Sequence, residues 1–366
     1  MRLRWLALAL VAASLVVLVA VGSSLLEDRR IRVHSLVTLD PPPAPAVLRL
    51  EGVTLTVTGA LVQHVGPDRL VVLRAWAPTP TMRVGPGDSG PLTLRVENLP
   101  ARVRLDASGP VEEERAGPTR TLRFAPRETR RLGFTAPDRE VTFAVLGDTG
   151  DNVTFAEALR LAALKGADFL LHAGDLIYED WQIPNIEKIL ATAPLPVFMS
   201  RGNHDYRNDG RIAVMRRLAP PYYTFRMGSA TFVVLDNGGD YLPTFWRRST
   251  QYRWWTEALG EPRTGPLFVT MHKPPFDRRT GPKRAPMLDR AFAQQLMSDF
   301  VRAGVDAVFT GHVHESHLWA QDGVPYVVSG EGMSPNGFDQ SRMAWVEVRG
   351  WQVVIDQIPI WPRVTR

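Results

Sequence analysis

Five short segments close an apolar run with side chains suited to holding hard or borderline cations. They are GDTGD with Asp148, GDLIY with Asp175 and Tyr178, GNHD with Asn203, His204 and Asp205, MHKPP with His272, and GHVH with His312 and His314. A single ending of this kind carries little information, because Gly-Asp is usually a turn and a histidine at a strand end usually makes a core hydrogen bond. Five in series, all offering carboxylate, imidazole or amide oxygen, point to a pair of cations such as Fe, Mn or Zn. A carboxylate shared between two ions about 3.5 to 4 Å apart is the arrangement that binds a phosphate oxygen and makes hydroxide near neutral pH. The chain has no cysteine, which excludes disulfides, thiolate metal sites and a cysteine nucleophile.

These residues sit where an α/β grammar would place them. VTFAVLGD, ADFLLHAGD, LPVFMSRGNHD, ATFVVLDN, PLFVTMHKPP and VDAVFTGHVH each read as a buried strand ending in polar residues. Helices are expected over Phe155–Lys165, around Tyr252–Leu259 and around Leu288–Ala303. Strands alternating with helices imply an α/β domain over residues 138–366, with its chemistry at the carboxyl ends of the strands. Three closing strands, Val324–Ser329, Met343–Arg349 and Trp351–Ile358, are expected to be antiparallel and to close a second sheet. Residues 47–137 have a different rhythm: short alternating runs such as RLEGVTLTVTG and LTLRVEN, broken by Gly, Pro and Asp. That pattern predicts a small all-β sandwich of immunoglobulin-like type, with a structural or docking role because it carries no cluster of ligating or nucleophilic side chains.

The 366-residue chain can hold two folded units and a tether. After Arg2 and Arg4, the run Trp5–Leu26 is free of charge, and about 22 residues at about 1.5 Å each can span a bilayer core of about 30 Å. Residues 1–27 are therefore expected to be a transmembrane anchor, or a signal segment if cleaved after Ala20-Val21-Gly22. Either reading places the remainder outside the cytoplasm, periplasmic or extracellular, and secreted if cleavage occurs. Residues 28–46 contain LDPPPAPA and read as a stiff linker. The net charge of +5 comes from arginine rather than from a basic tract. No nucleic-acid motif is present, so no nucleic-acid partner is expected.

The ordered set of five blocks, spanning about Val141 to Gly332, resembles the calcineurin-like metallophosphoesterase family and, within it, the purple acid phosphatases. The general family pattern opens with Asp-x-His, whereas Gly150 stands at the histidine position here. Purple acid phosphatases also lack that histidine and carry a tyrosine three residues after the second aspartate, where this chain has Tyr178. The resemblance implies Asp148, Tyr178 and His314 on a first metal, Asp175 bridging, and Asn203, His272 and His312 on a second. A phenolate favours Fe(III), so the implied pair is Fe(III) with Zn, Mn or Fe(II). It also implies that His204 hydrogen-bonds the phosphate and protonates the leaving oxygen, with Asp205 orienting it. Hydroxide held by the metals would attack phosphorus in line, without a covalent protein intermediate.

The expected function is hydrolysis of phosphate monoesters, with a phosphorylated small molecule or other phosphoester as substrate. Phosphodiester or nucleotide-pyrophosphate cleavage on the same centre is the alternative, because specificity lies in the surrounding loops. A catalytically silent adhesion or scaffold protein is the rival of another class, and the full ligand set argues against it. Arg201, Lys273, Arg278, Arg279, Lys283 and Arg284 are secondary candidates for a phosphate-binding rim, and Asp277–Pro286 for a gating loop. His172 and His317 read as hydrogen-bonding residues, Asp151 and Asn152 as helix caps, and Trp181, Trp246, Trp254 and Trp255 as packing residues.

Overall fold

A computed structural model describes residues 43–361 apart from 51, 88–89, 139, 239–249, 282–283 and 334–339. The expected anchor over residues 1–27 and most of the linker fall outside the described residues. Among the described residues no helix is long and apolar enough to cross a membrane.

Two five-stranded sheets make up the amino-terminal part. One has the order β1 (Ala46–Leu50), β2 (Val53–Thr58), β5 (Thr81–Val84), β10 (Arg130–Thr135), β7 (Arg104–Ala107). The other has the order β3 (Ala60–Val65), β4 (Leu70–Ala75), β6 (Leu92–Glu97), β9 (Thr119–Phe124), β8 (Glu112–Ala116). Apolar residues alternate along the strands, as in Val53, Leu55 and Val57 of β2 and Leu92, Leu94 and Val96 of β6. The period of two sends these residues to one face of each sheet, and both inner faces share a single buried core.

The carboxy-terminal part also holds two sheets. The first runs β13 (Val197–Met199), β12 (Phe169–His172), β11 (Val141–Leu146), β20 (Arg342–Arg349), β21 (Gln352–Pro359). The second runs β14 (Tyr223–Met227), β15 (Ala230–Val234), β16 (Leu267–Thr270), β17 (Ala307–Thr310), β19 (Val324–Ser329), β18 (Ser316–Gln321). Strands β11 to β13 are parallel, as are β15, β16, β17 and β19. Their residues are buried, apart from the half-buried Thr142 and Pro325, as parallel strands covered on both faces require. Phe143 of the first sheet meets Phe232, Phe268 and Phe309 of the second edge-on at 5.2, 5.6 and 5.6 Å, so an aromatic core joins the two sheets. Ser329 adds a polar tie: its Oγ donates to the Val145 carbonyl at 2.7 Å and accepts from the Ala344 amide at 3.2 Å.

The helices are α1 (Val153–Leu164), α2 (Ile183–Ala191), α3 (Asp209–Leu218), α4 (Thr250–Gly260) and α5 (Arg290–Ala303). In α1, Asn152 caps the Thr154 amide, and Phe155, Ala158, Leu159 and Ala162 form the buried stripe that helical spacing dictates. Helix α5 starts at Asp289, which caps the Phe292 amide, and stops at Gly304 with φ 63°.

The closing strands depart from the sequence reading. Only β19 joins the second sheet; β20 and β21 extend the first, because β11 pairs with β12 on one side and offers its other edge to β20 in antiparallel register.

The two parts are tied at β13. The Nδ2 of Asn98 donates to the Val197 carbonyl at 3.0 Å and its Oδ1 accepts from the Val197 amide at 2.8 Å. The Tyr223 hydroxyl accepts from the Met199 amide and donates to the Met199 carbonyl, each at 3.0 Å. Residues 197 and 199 point their backbone groups away from β12 in a parallel pairing, so these two side chains take the place of a further strand.

Candidate metal centre

The candidate ligands follow buried parallel strands, and after three of these strands, β11, β12 and β17, the chain turns in an unusual conformation. Asp148 beyond β11, Asp175 beyond β12, and His312 and His314 beyond β17 have φ of 58°, 56°, 70° and 54°. A non-glycine residue in the left-handed region costs on the order of 1 to 3 kcal/mol and persists where its surroundings fix it. Hydrogen bonds do so here. The His312 amide donates to Asp148 Oδ2 at 2.7 Å, the Asp148 amide to the Gly174 carbonyl at 2.9 Å, and the His204 amide to Asp175 Oδ1 at 2.8 Å.

The side chains converge on two overlapping groups. Ligand atoms of Asp175, His272 and His312 lie within 4.8 Å of one another, and so do those of Asp148, Asp175 and His314. Asp175 belongs to both. His272 Nε2 stands 3.3 Å from Asp175 Oδ2 and 3.1 Å from Asn203 Oδ1. His314 Nε2 stands 3.1 Å from the Tyr178 hydroxyl and 3.5 Å from Asp148 Oδ1. Donor atoms bound to one ion at about 2.1 Å stand about 3.0 to 3.5 Å apart, so these separations suit a common cation.

Three further observations fit the donor set to cations. Asp148 Oδ1 is a buried acceptor without a hydrogen bond. His272 Nδ1 lies 2.8 Å from the Ala173 carbonyl, the bond that fixes a ligating imidazole with Nε2 turned to the metal. Asp148, Asp175 and His272 are fully buried, whereas Tyr178, Asn203, His204, His312 and His314 are half-buried and form the open side.

The electrostatics follow from this crowding. Burial and the neighbouring Asp175 push the Asp148 carboxyl up, against the pull of His314 and His272. Asp175 goes the other way: despite its burial, His272 beside it holds the carboxylate well below the usual range, while burial opposed by Asp175 leaves His272 up at about 9. The Tyr178 phenol is pushed well up by burial and by Asp148 and Asp175. A phenolate at this position therefore requires nearby positive charge.

His204 lies beside the donors without joining them. Its Nε2 is 4.0 Å from Asp175 Oδ2, and its ring lies against Tyr178 at 4.2 Å between centroids. Burial lowers its pKa to about 4, against the Asp175 charge. Asp205 has partners other than the expected one. Its Oδ2 accepts from the amides of Gly202 and Asp175 at 2.8 and 3.0 Å, and its Oδ1 from those of Leu176 and Ile177 at 3.1 and 2.9 Å. The carboxylate thus ties the turn after β12 to the turn after β13 rather than holding the His204 ring. Burial and the Asp175 charge raise its pKa to about 7, against the pull of those amides.

The secondary candidates separate. Arg201 is buried, with Nη2 on the Ala219 carbonyl at 3.1 Å and its guanidinium over the Tyr206 ring. Lys273 is buried; Arg278 reaches the Ala320 carbonyl and Arg284 the Asp277 carbonyl. Arg279 pairs with Asp277 at 2.8 Å and Glu315 at 3.1 Å. His172 Nε2 meets the Thr149 hydroxyl at 2.9 Å, and His317 meets Glu315. Asp151 accepts from Gln182. Trp255 is buried, Trp254 lies against Tyr222, and Trp181 is exposed. Lys283 and Trp246 fall outside the described residues.

One contributor was not anticipated. Asn237 Oδ1 accepts the amides of His272 and Lys273 at 2.9 and 3.0 Å, holding the turn that presents His272. The signal was the polar pair Asp236-Asn237 closing the apolar run of β15, the same grammar as the ligand-bearing strands.

Residues 141–316 match the family model for calcineurin-like phosphoesterases. A phosphoenolpyruvate phosphatase from Allium cepa is 28% identical over 209 residues, covering 49% of this chain and 42% of that protein. Purple acid phosphatase 21 of Arabidopsis thaliana is 28% identical over 198 residues, covering 48% and 44%. The chain thus spans less than half the length of these curated relatives. Among solved structures, the purple acid phosphatase PPD1 from yellow lupin seeds shares the fold, with a TM-score of 0.51 and 13% identity over 83% of this chain and 72% of that one. Residues 141–316 thus carry the match to the calcineurin-like phosphoesterases, and purple acid phosphatases are among the relatives of this chain.

Proposed function

We propose that the chain is a dinuclear metal-dependent phosphatase of purple acid phosphatase-like type that hydrolyses phosphate monoesters outside the cytoplasm, anchored through residues 1–27. The observation that carries this reading is the place of Asp175 in both donor groups, since a shared carboxylate is what holds two ions close enough to act on one phosphate. Asp148, Tyr178 and His314 would hold one ion, Fe(III), and Asn203, His272 and His312 the other, Zn, Mn or Fe(II). Bound there, the ions supply Lewis-acid polarisation of the phosphoryl oxygens and a water acidic enough to attack at neutral pH.

The chain's own residues do the rest. His204, on the open side and 4.0 Å from the shared carboxylate, would donate a hydrogen bond to a phosphoryl oxygen; the negative charge of a bound phosphate opposes the burial that keeps the free ring neutral, and the imidazolium so favoured would pass a proton to the leaving alkoxide. Asp205 holds the backbone that carries Asp175 and Asn203 in register. The amino-terminal sheets, read as an immunoglobulin-like sandwich, support β13 and through it the Asn203 turn.

The test is metal analysis, visible absorption and turnover of phosphate monoesters and diesters by the purified protein and two variants. The protein should hold two ions and show a phenolate-to-iron band that Tyr178→Phe removes; Asp175→Ala should lose the ions and turnover together. Full turnover in Asp175→Ala would overturn the reading. Faster cleavage of diesters than of monoesters would replace the substrate class.

A further inference from the structure

The turn Gly311–His314 presents two candidate ligands whose backbones are both left-handed, at φ 70° and 54°. Within the site, three contacts hold it: the Gly311 amide on the His272 carbonyl at 2.9 Å, the Val313 amide on the Gly311 carbonyl at 2.9 Å, and the His312 amide on Asp148. A further tie comes from behind the site. Arg279 Nη1 donates to the carbonyl of Val313, the residue between the two histidines, at 3.3 Å.

We infer that Arg279 is a positioning residue of the metal centre, bracing the His312–His314 turn against the loop that follows His272. This inference rests on the metal-centre reading above. The guanidinium is itself fixed before it reaches Val313. Its Nε and Nη2 lie 3.2 and 2.8 Å from Asp277 Oδ2, and its Nη1 lies 3.1 Å from Glu315 Oε1. Asp277 is buried, and its carboxylate also accepts the amides of Arg279 and Ala285 at 2.9 and 2.8 Å. Glu315 Oε2 meets His317 at 2.9 Å. Two anchored carboxylates therefore set the plane of the fork, and Nη1 is directed at Val313.

A phosphate-binding role, which the sequence suggested for Arg279, fits less well. Its side chain is only 12% exposed, and the carboxylates of Asp277 and Glu315 would repel an approaching anion. Bracing needs the planar, many-donor geometry of arginine, because one ammonium cannot span two carboxylates and a carbonyl in fixed directions. The brace also joins the two strand-end loops that follow β16 and β17, so the donor sets containing His272, His312 and His314 keep a common frame.

The test uses the full chain with Arg279→Ala and Arg279→Lys, and two readouts. Hydrogen exchange is followed on peptides covering residues 311–316 with zinc removed by chelator, and zinc affinity is measured by competition. In Arg279→Ala, exchange in that segment should quicken about tenfold or more while β16 and β17 are unchanged, as local opening would require. Zinc affinity should fall about 10- to 100-fold, the range for removing a group that orients ligands. Arg279→Lys retains the charge and guards against a variant that fails to fold; it should recover only part of each loss. Wild-type exchange or wild-type zinc affinity in both variants overturns the inference. If the unmodified protein binds none of zinc, manganese and iron, the metal-centre reading falls, while quickened exchange in the metal-free variants still upholds the brace.

Discussion

At the scale of single residues, the site is built from side chains whose neighbours leave no room for a methyl group. A Cβ on Gly311 would stand 2.5 Å from Asp148 Oδ2 and 2.9 Å from the Ala173 carbonyl. One on Gly174, at φ 88°, would stand 2.6 Å from His272 Nδ1. These contacts explain why both histidine- and aspartate-bearing turns are preceded by glycine: the ligand of one strand packs on the backbone of another. Gly311→Ala should therefore displace Asp148, which accepts the next amide, and weaken metal binding about 10- to 100-fold with little change in far-ultraviolet circular dichroism. Titration with zinc or manganese reads the outcome, and wild-type affinity would show that Asp148 has room to move. The candidate ligands stood out in the sequence because each follows an apolar run by a few residues. The partners of Asp205 were not, since four amides from two turns meet its carboxylate only once β12 and β13 lie side by side.

At the scale of elements, the strands that carry the site were legible because a strand buried on both faces is a continuous apolar run. Helices α1, α4 and α5 were legible from their spacing and, for α1, from Asn152 at its start. Helices α2 and α3 were not, being short and lodged directly after GDLIY and GNHD, where the motifs drew the reading. Yet α3 has its own cap, Asn208 on the Arg211 amide, and buries Ile212, Val214, Met215 and Leu218. Strand β18 has only the short apolar run Leu318–Ala320, with Ser316–Gln321 partly buried or exposed, and it pairs along the edge that β19 offers. The element-scale function of Asp205 is to lock the turns after β12 and β13 together. Asp205→Asn replaces one acceptor oxygen by an amide donor, leaving two backbone N–H groups unpaired. The expected loss is on the order of 2 to 4 kcal/mol in denaturant unfolding, larger than a surface substitution produces. A change below about 0.5 kcal/mol would mean that the turns hold themselves.

At the scale of the whole molecule, the amino-terminal sheets, for which the sequence suggested a structural or docking role, pack against the edge that leads to the candidate site. Strand β13 is three residues long and lies at the edge of the first carboxy-terminal sheet, four residues before Asn203. Left open, its outward amide and carbonyl groups would invite pairing with another chain. Asn98, held in a left-handed conformation at φ 68°, also donates to the Ala75 carbonyl and accepts from Arg74, so the amide that reaches Val197 is anchored in its own sheet. Burial lowers the pKa of Arg74 to about 10, against the charge of Glu97. Trp76 packs edge-on against Tyr223 at 5.2 Å, and Arg102 pairs with Asp168 across the same seam. An interface of this kind couples the two parts in unfolding. Asn98→Ala leaves both backbone groups of Val197 and the Ala75 carbonyl without their partner, and should cost on the order of 2 to 4 kcal/mol. Because the parts share the seam, the loss should appear as one cooperative transition shifted to lower denaturant, read alike by the tryptophans of both halves. Two separated transitions in the unmodified protein would show instead that the sheets before residue 138 fold as an independent module, and that β13 keeps its place without them.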